Sequence, residues 1–212
     1  MGEGMRILKD ACVLGAITLA SGLLLGAVYV VTKDPIAQQE QAKKMNAYGN
    51  VFSAAEGFQS SEKTETVQGE AADILLQAGG DEYESVTINE ILEAVDADGS
   101  ILGHVVSVTS GSGYGGDISL TVGVDLDGSI TGVEITESSE TVGLGANASE
   151  ESFRSQYVGK QVDHFAVTKN GSQNDNEIDA ISGATITSNA VTDAVNAVLC
   201  CAEAFSLEGG GA

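Results

Sequence analysis

The sequence predicts an α+β protein: one N-terminal transmembrane helix, then a single domain of antiparallel hairpins and packed helices. Three observations carry that prediction. Residues 11–31, ACVLGAITLASGLLLGAVYVV, are 21 residues without a charge, enough for a helix to cross the hydrocarbon core of a bilayer. Asp98-Gly99 and Asp127-Gly128 each stand between strand-like apolar runs, the signature of a tight hairpin turn. Near the C-terminus, Val191, Ala194, Val195, Val198, Leu199 and Ala202 recur at helical spacing on one stripe, the pattern of a helix laid on a core.

Taken in order, residues 1–10 form a short tail with Arg6 and Lys9. The apolar run at 11–31 exceeds the roughly 7–15 residues of a signal peptide's apolar region, so it reads as an uncleaved anchor. Cys12 stands at the start of the run and not after it, which does not fit a lipoprotein. Lys33, Lys43 and Lys44 follow the span, so counting positive charges does not orient it. A short tail before the span and a large domain after it is the layout of an anchor with its N-terminus inside. Residues 32–58 read as a helical stalk, with Asp34 as N-cap, Pro35 at the first helical position and Ile36, Met45 and Tyr48 as apolar points.

Residues 59–206 make the domain. QSSEKTETVQGE, 59–70, is polar and unpatterned and reads as a loop; AADILLQAGG, 71–80, reads as a short helix with a glycine stop. A hairpin follows around Asp98-Gly99, and a second around Asp127-Gly128, where Ile118, Leu120, Val122, Val124 and Leu126 alternate as in a half-buried strand. On the return Ile130 and Val133 are out of phase, which predicts a bulge near Thr131-Gly132. EESFRSQYVGK, 150–160, is a short helix with Phe153 and Tyr157 on one face. The glycine-rich end, 207–212, reads as disordered.

Composition excludes several functions. The net charge of −22 lies entirely after the span, so the domain repels nucleic acid and anionic lipid surfaces, and no basic patch offsets this. Cys12, Cys200 and Cys201 give no disulfide framework and read as small buried hydrophobes. His104 and His164 are isolated, and no spacing suggests a metal ligand set. GSGYGG, 111–116, matches a dinucleotide-binding fingerprint in letters only. It leads into a strand instead of a helix, so it reads as a bend.

Two stretches remain. SETVGLG, 139–145, sets the apolar Leu144 between two glycines; it offers backbone amides and one aliphatic side chain to a flat ring, though an ordinary turn has the same composition. DAISGATITSNAV, 179–191, crowds hydroxyls ahead of an apolar helix. Thr187 or Ser188 serves as an N-cap, and the small Ser-Gly-Ala approach leaves the Thr185 hydroxyl open beside a helix start, where phosphate is favoured.

These residues resemble a known family, the G subunit of the Rnf ion-translocating electron transport complex, related to the C subunit of sodium-translocating NADH:quinone reductase. TKDPIAQQE follows one membrane helix, GYGGDISLTVGVDLDGSITGVEI is similar to the family's glycine-led hairpin, ETVGLG to its E-T-P-G-L-G loop, and DAISGAT to its flavinylation motif D-x-x-S-G-A-T. The resemblance spans the chain apart from residues 55–85 and the tail. Val142 departs from the family's proline and Ser138 from a common histidine.

The resemblance implies FMN joined to Thr185 through a phosphoester, with Asp179, Ser182, Gly183 and Ala184 as the recognition sequence of a magnesium-dependent FAD:protein FMN transferase. It implies Leu144, Thr141 and Gly145 at the flavin ring and Thr187 and Ser188 at the phosphate. The domain would then be an extracytoplasmic FMN-binding domain in the cell membrane, relaying electrons to other membrane subunits of an Rnf-type complex without catalysing a reaction alone. Membership of a quinone reductase or another extracytoplasmic reductase is a second expectation, and a surface-anchored binding module without flavin a third.

Overall fold

The computed structural model describes residues 2–208, and the chain divides into two compact units after Lys44. Helix α1 (Gly2–Val51) supplies the whole first unit. Its apolar side chains there, Leu14, Leu23, Leu24 and Val30 among them, are exposed, and the helix is long and apolar enough to cross a membrane. No new helix starts at Asp34: α1 runs on through Pro35, so Asp34 caps nothing. One proline removes one backbone hydrogen bond, and the Ala, Gln, Glu, Lys and Met residues after it favour helix enough to carry α1 onward. Cys12, expected to be buried, is exposed on this helix.

The second unit begins at Met45, so the last turns of α1 belong to the domain and not to a stalk ending at residue 58. Strands β1 (Gly57–Gln59), β2 (Val86–Val95), β3 (Ile101–Ser110), β4 (Ile118–Asp125) and β5 (Ile130–Ser138) form one antiparallel sheet in chain order. Both hairpins turn on the same local chemistry. Asp96 Oδ1 accepts the amides of Asp98 and Ser100, and Asp125 Oδ1 those of Asp127 and Ser129, all at 2.8–3.0 Å. The predicted bulge is present: Gly123 faces Gly132 while Val124 faces Ile130, leaving Thr131 extra.

Helix α2 (Glu62–Ala78) replaces the loop expected over 59–70. Ser61 and Thr64 cap its start reciprocally, and Thr64, Val67, Ala71 and Leu75 are buried at helical spacing. The stripe is sparse and opens on a hydroxyl, which hid it. Glu93 fixes this end to β2, accepting from Ser61 Oγ at 2.5 Å and Gln59 Nε2 at 3.2 Å. The glycine stop holds, since the Gly79 amide returns to Leu75 O.

Helix α4 (Thr185–Glu208) lies with α2 on one face of the sheet. Val67 and Leu75 of α2, Val106, Val108, Leu120 and Val122 of the strands and Ala190, Val191, Ala194 and Val198 of α4 share that core. Each fully buried aliphatic side chain contributes about 1.5–3 kcal/mol. Cys201 joins them, and burial pushes its thiol up to about 12. The stripe is wider than predicted, taking in Ala197 and Cys201, while Ala202 is half-buried. Helix α4 reaches Glu208, so residues 207 and 208 are helical and the rest of the expected disordered tail lies outside the described residues.

Tyr48, Val51 and Phe52, at the end of α1, cover the opposite face with Ala94 and Val105. The approach is close because Gly123 and Gly132 face it side by side: a Cβ on either would come within 2.6 Å of Val51 backbone atoms. Thr131, the bulge residue, donates to Val51 O at 2.6 Å, satisfying a helix-end carbonyl. Strand β4 is therefore covered on both faces, with Thr121 1% exposed, instead of half-buried. Leu126 lies beyond the strand in the turn and is exposed.

After β5 the chain passes through helix α3 (Glu151–Arg154) and the short parallel pair β6 (Ala166–Thr168) and β7 (Glu177–Asp179) to α4. Phe153, Tyr157 and Phe165 pack edge to face at 5.8 and 5.2 Å. Tyr157 Oη meets Thr192 Oγ1 at 2.8 Å, and Asn196 bonds both the amide and the carbonyl of Phe165. These contacts anchor α4 so that its N-terminus meets the loop after β5.

Candidate functional site

The N-terminal end of α4 faces two loops, residues 111–117 between β3 and β4 and residues 139–145 after β5. Between them lies a cavity of about 430 Å³ lined by Tyr114, Glu140, Thr141, Leu144, Gly145 and residues 183–187, within the range of small-molecule sites. A larger cavity of about 630 Å³, lined by His104, Phe205 and several charged side chains, takes in the Asp127-Gly128 turn but no residue of ETVGLG or DAISGAT. There His104 stacks on Phe205 at 4.0 Å, and burial holds its imidazole below the usual range.

The two loops hold each other. Gly115 donates its amide to Glu140 Oε1 at 3.0 Å, and Leu144 Cδ2 comes within 3.1 Å of the position a Cβ would take at Gly183. Within 139–145, Thr141 O accepts the amides of Leu144 and Ala146, both at 3.1 Å, which closes a compact turn. Leu144 stays partly open at 43% exposure. In the other motif Gly183 has φ +77°, a left-handed conformation that side-chain-bearing residues avoid, and the turn it makes delivers Ala184 and Thr185 to the helix start.

Of the sequence-predicted residues, Thr141, Leu144, Gly145, Gly183, Ala184, Thr185 and Thr187 line this one cavity, and Asp179, Ser182 and Ser188 do not. Ser182 is exposed. Asp179 is exposed too, its Oδ1 accepting the Ser172 amide at 2.5 Å and its own amide donating to Gln156 Oε1 at 2.7 Å, so it fastens the preceding loop. Ser188 is fully buried; its Oγ accepts the Ile181 amide at 3.0 Å and donates to Ala184 O at 2.9 Å. Both bonds lock the Ser-Gly-Ala turn. Because α4 begins at Thr185, neither Thr187 nor Ser188 is its N-cap: both lie in the first turn.

Three lining residues escaped the sequence reading: Tyr114, Glu140 and Ile186. Tyr114 stands between glycines in the bend and is 73% exposed. Glu140 precedes the predicted Thr141, and only the long-range bond to Gly115 reveals it as part of the wall. The first amides of α4, at Thr185, Ile186 and Thr187, have no intrahelical acceptor. With the Thr185 hydroxyl half-open beside them, this end of the cavity suits a phosphate ester. Thr187 Oγ1, buried and without a hydrogen-bond partner, is an unused donor on the part of the wall next to Glu140 and Gly145. The residues present thus fit a group with an anionic end and a flat, partly apolar body.

Fold and cavity together define an FMN-binding domain carried on an apolar N-terminal helix. The family described as the FMN-binding domain matches residues 113–200, and that described as the RnfG N-terminal region matches residues 1–51. The chain is 34% identical over 82% of its length to the G subunit of the proton-translocating ferredoxin:NAD(+) oxidoreductase complex of Clostridium ljungdahlii, covering 80% of that protein. It is 31% identical over 94% of its length to the G subunit of the ion-translocating oxidoreductase complex of Methanosarcina acetivorans, covering 96% of it. Over 50% of its length it is 41% identical to the G subunit of the Na(+)-translocating ferredoxin:NAD(+) oxidoreductase complex of Acetobacterium woodii, covering 53% of that protein. The chain belongs to the family of G subunits of ion-translocating Rnf complexes.

Proposed function

We infer that this chain is the membrane-anchored subunit that holds FMN as a phosphoester on Thr185 and relays electrons within an Rnf-type complex, one that couples ferredoxin:NAD electron transfer to ion translocation. Residues 11–31 cross the membrane, residues 1–10 face the cytoplasm and the domain lies outside. The observation that carries the reading is the meeting of two distant motifs, ETVGLG and SGAT, around one cavity with Thr185 on its wall.

Attachment forms a bond between Thr185 Oγ1 and the FMN phosphorus of FAD and breaks the pyrophosphate; AMP leaves, and the hydroxyl proton passes to a base of the transferase. The bound flavin supplies electron uptake and release. The chain's own residues do the rest. The turn at Gly183 exposes Thr185, Ser188 holds that turn, the α4 amides meet the phosphate, and Leu144 with Thr141 and Gly145 borders the ring.

Co-production with a flavin transferase tests the reading. The wild type gives a fluorescent band on a denaturing gel and an intact mass increased by FMN less water, with the increment on the Thr185 peptide. Thr185→Val gives neither. A dark wild type, or a fluorescent Thr185→Val, ends the assignment.

A further inference from the structure

Among the described residues, Thr187 Oγ1 is the buried side-chain polar atom that makes no hydrogen bond. Thr187 is 1% exposed, so its hydroxyl has left water without gaining an acceptor, an arrangement that native interiors avoid. Glu140 stands next to it. The carboxylate is 9% exposed; Oε1 accepts the Gly115 amide, and Oε2 crowds the place where Gly145 would carry a Cβ, a point only 2.7 Å from Thr187 Oγ1. Both residues line the cavity, so its wall carries an unused donor beside a negative charge.

Resting on the reading that this cavity holds the flavin, we propose that Glu140 and Thr187 set the flavin's reduction potential as an opposed pair. An electron accepted by the ring adds negative charge, and a neighbouring carboxylate on a residue itself only 9% exposed opposes that charge. A hydroxyl donating to a ring oxygen favours it. Glu140 therefore lowers the potential and Thr187 raises it. A Cβ at Gly145 would meet both atoms, so the glycine is what lets the carboxylate and the hydroxyl come together on this wall.

The test uses full-length, flavin-loaded wild type, Glu140→Gln and Thr187→Val in detergent, titrated spectroelectrochemically with dithionite and mediator dyes, each step passing one electron from reduced dye to flavin. In Glu140→Gln the flavin is reduced at least tenfold more favourably, a rise of 59 mV for one electron; in Thr187→Val the midpoint falls. An unmoved Glu140→Gln, or two variants shifted in the same direction as a loosened site would shift them, overturns the proposal. If Glu140→Gln does not load, the Thr187→Val midpoint decides: a fall upholds the pair, and no change or a rise removes it. In the unloaded chain Thr187→Val raises the thermal midpoint, because an unpartnered hydroxyl is removed; a lowered midpoint means that the hydroxyl serves the fold, and also overturns the proposal. A wild type without fluorescence refutes the flavin reading itself, whereas a fluorescent wild type with unmoved variants refutes only the pair.

Discussion

Replacing Ser188 by alanine tests whether one buried hydroxyl holds the turn ahead of Thr185 in place. Ser188 Oγ ties Ile181, before the turn, to Ala184, within it, at 3.0 and 2.9 Å. Truncation strands the half-buried Ile181 amide, an unmet donor that costs about 1–3 kcal/mol. The Ala184 carbonyl keeps its bond from the Ser188 amide at 3.0 Å, so the second loss adds little, and the expected total is about 2 kcal/mol. For a domain of roughly 150–250 residues each kcal/mol moves the thermal midpoint by about 2–4 °C, so Ser188→Ala unfolds about 4–8 °C below wild type. The assay is far-UV circular dichroism of the unloaded full chain in detergent, with Thr187→Val, one residue away, as the contrast. Ser188→Ala also lowers the yield of fluorescent band, because the Thr185 hydroxyl is no longer presented by a fixed turn. Stability within about 0.5 kcal/mol of wild type, the range of an ordinary surface substitution, would refute the reasoning.

Gly145→Ala drives a methyl group into Glu140 and to 2.7 Å from Thr187 Oγ1; overpacking of this kind costs about 1–3 kcal/mol, read as a lower urea midpoint at constant slope, together with weaker flavin loading. Gly132→Ala meets Val51 Cα at 2.6 Å and loses a similar amount by pushing the end of α1 off the sheet, which limited proteolysis near Phe52 detects. Asp193 is raised to about 6 by burial and by Glu82, with His164 opposing. The folded state therefore binds this proton more tightly than the unfolded state, so stability falls as pH rises from about 4 to 6 and is flat above. With the partial exposure of the group discounted, Asp193→Asn gains about 1 kcal/mol at pH 7 and nothing at pH 4, measured by urea unfolding at both.

The hairpins were legible because their turns are local: one aspartate side chain takes two amides within four residues, and the signal fits in five letters. The second half of helix α2 was legible too, but its first half was not, because Thr64 opens its buried stripe and only the bond between Ser61 and Thr64 marks its start. Pro35 misled for the opposite reason: a local rule predicted a boundary, and the helix-favouring residues around it overrode the rule. In the site, the two motif loops were legible as residues that expose a hydroxyl and an aliphatic side chain. Glu140 and Tyr114 were not, since both matter through the approach of residues 111–117 to 139–145. Ser188 read as a phosphate contact because short polar residues at a helix start serve phosphates and turns equally well, and its bonds with Ile181 and Ala184, which no local pattern announces, place its hydroxyl in the turn.

The covalent bond proposed above would answer an electrostatic problem that this domain poses. The formal net charge of −22 belongs to the part that carries the cavity, and the cavity wall itself holds Glu140. A free flavin phosphate approaching it meets like charge, which lowers both its rate of arrival and its affinity, and the first turn of one helix offsets only part of that through its amides. Raising affinity with basic side chains would place positive charge beside the ring and raise its potential, against the effect assigned to Glu140. The proposed ester on Thr185 would separate the two requirements. Retention then depends on a bond that salt and dilution do not weaken, the local flavin concentration stays high without tight non-covalent binding, and the surroundings of the ring are left to set its potential. On the same proposal, so exposed a set of residues, Tyr114, Leu144 and Ile186, could border the site: with an ester in place they would not need to bury the flavin to keep it, and the open edge would be free for electron exchange with a neighbouring subunit.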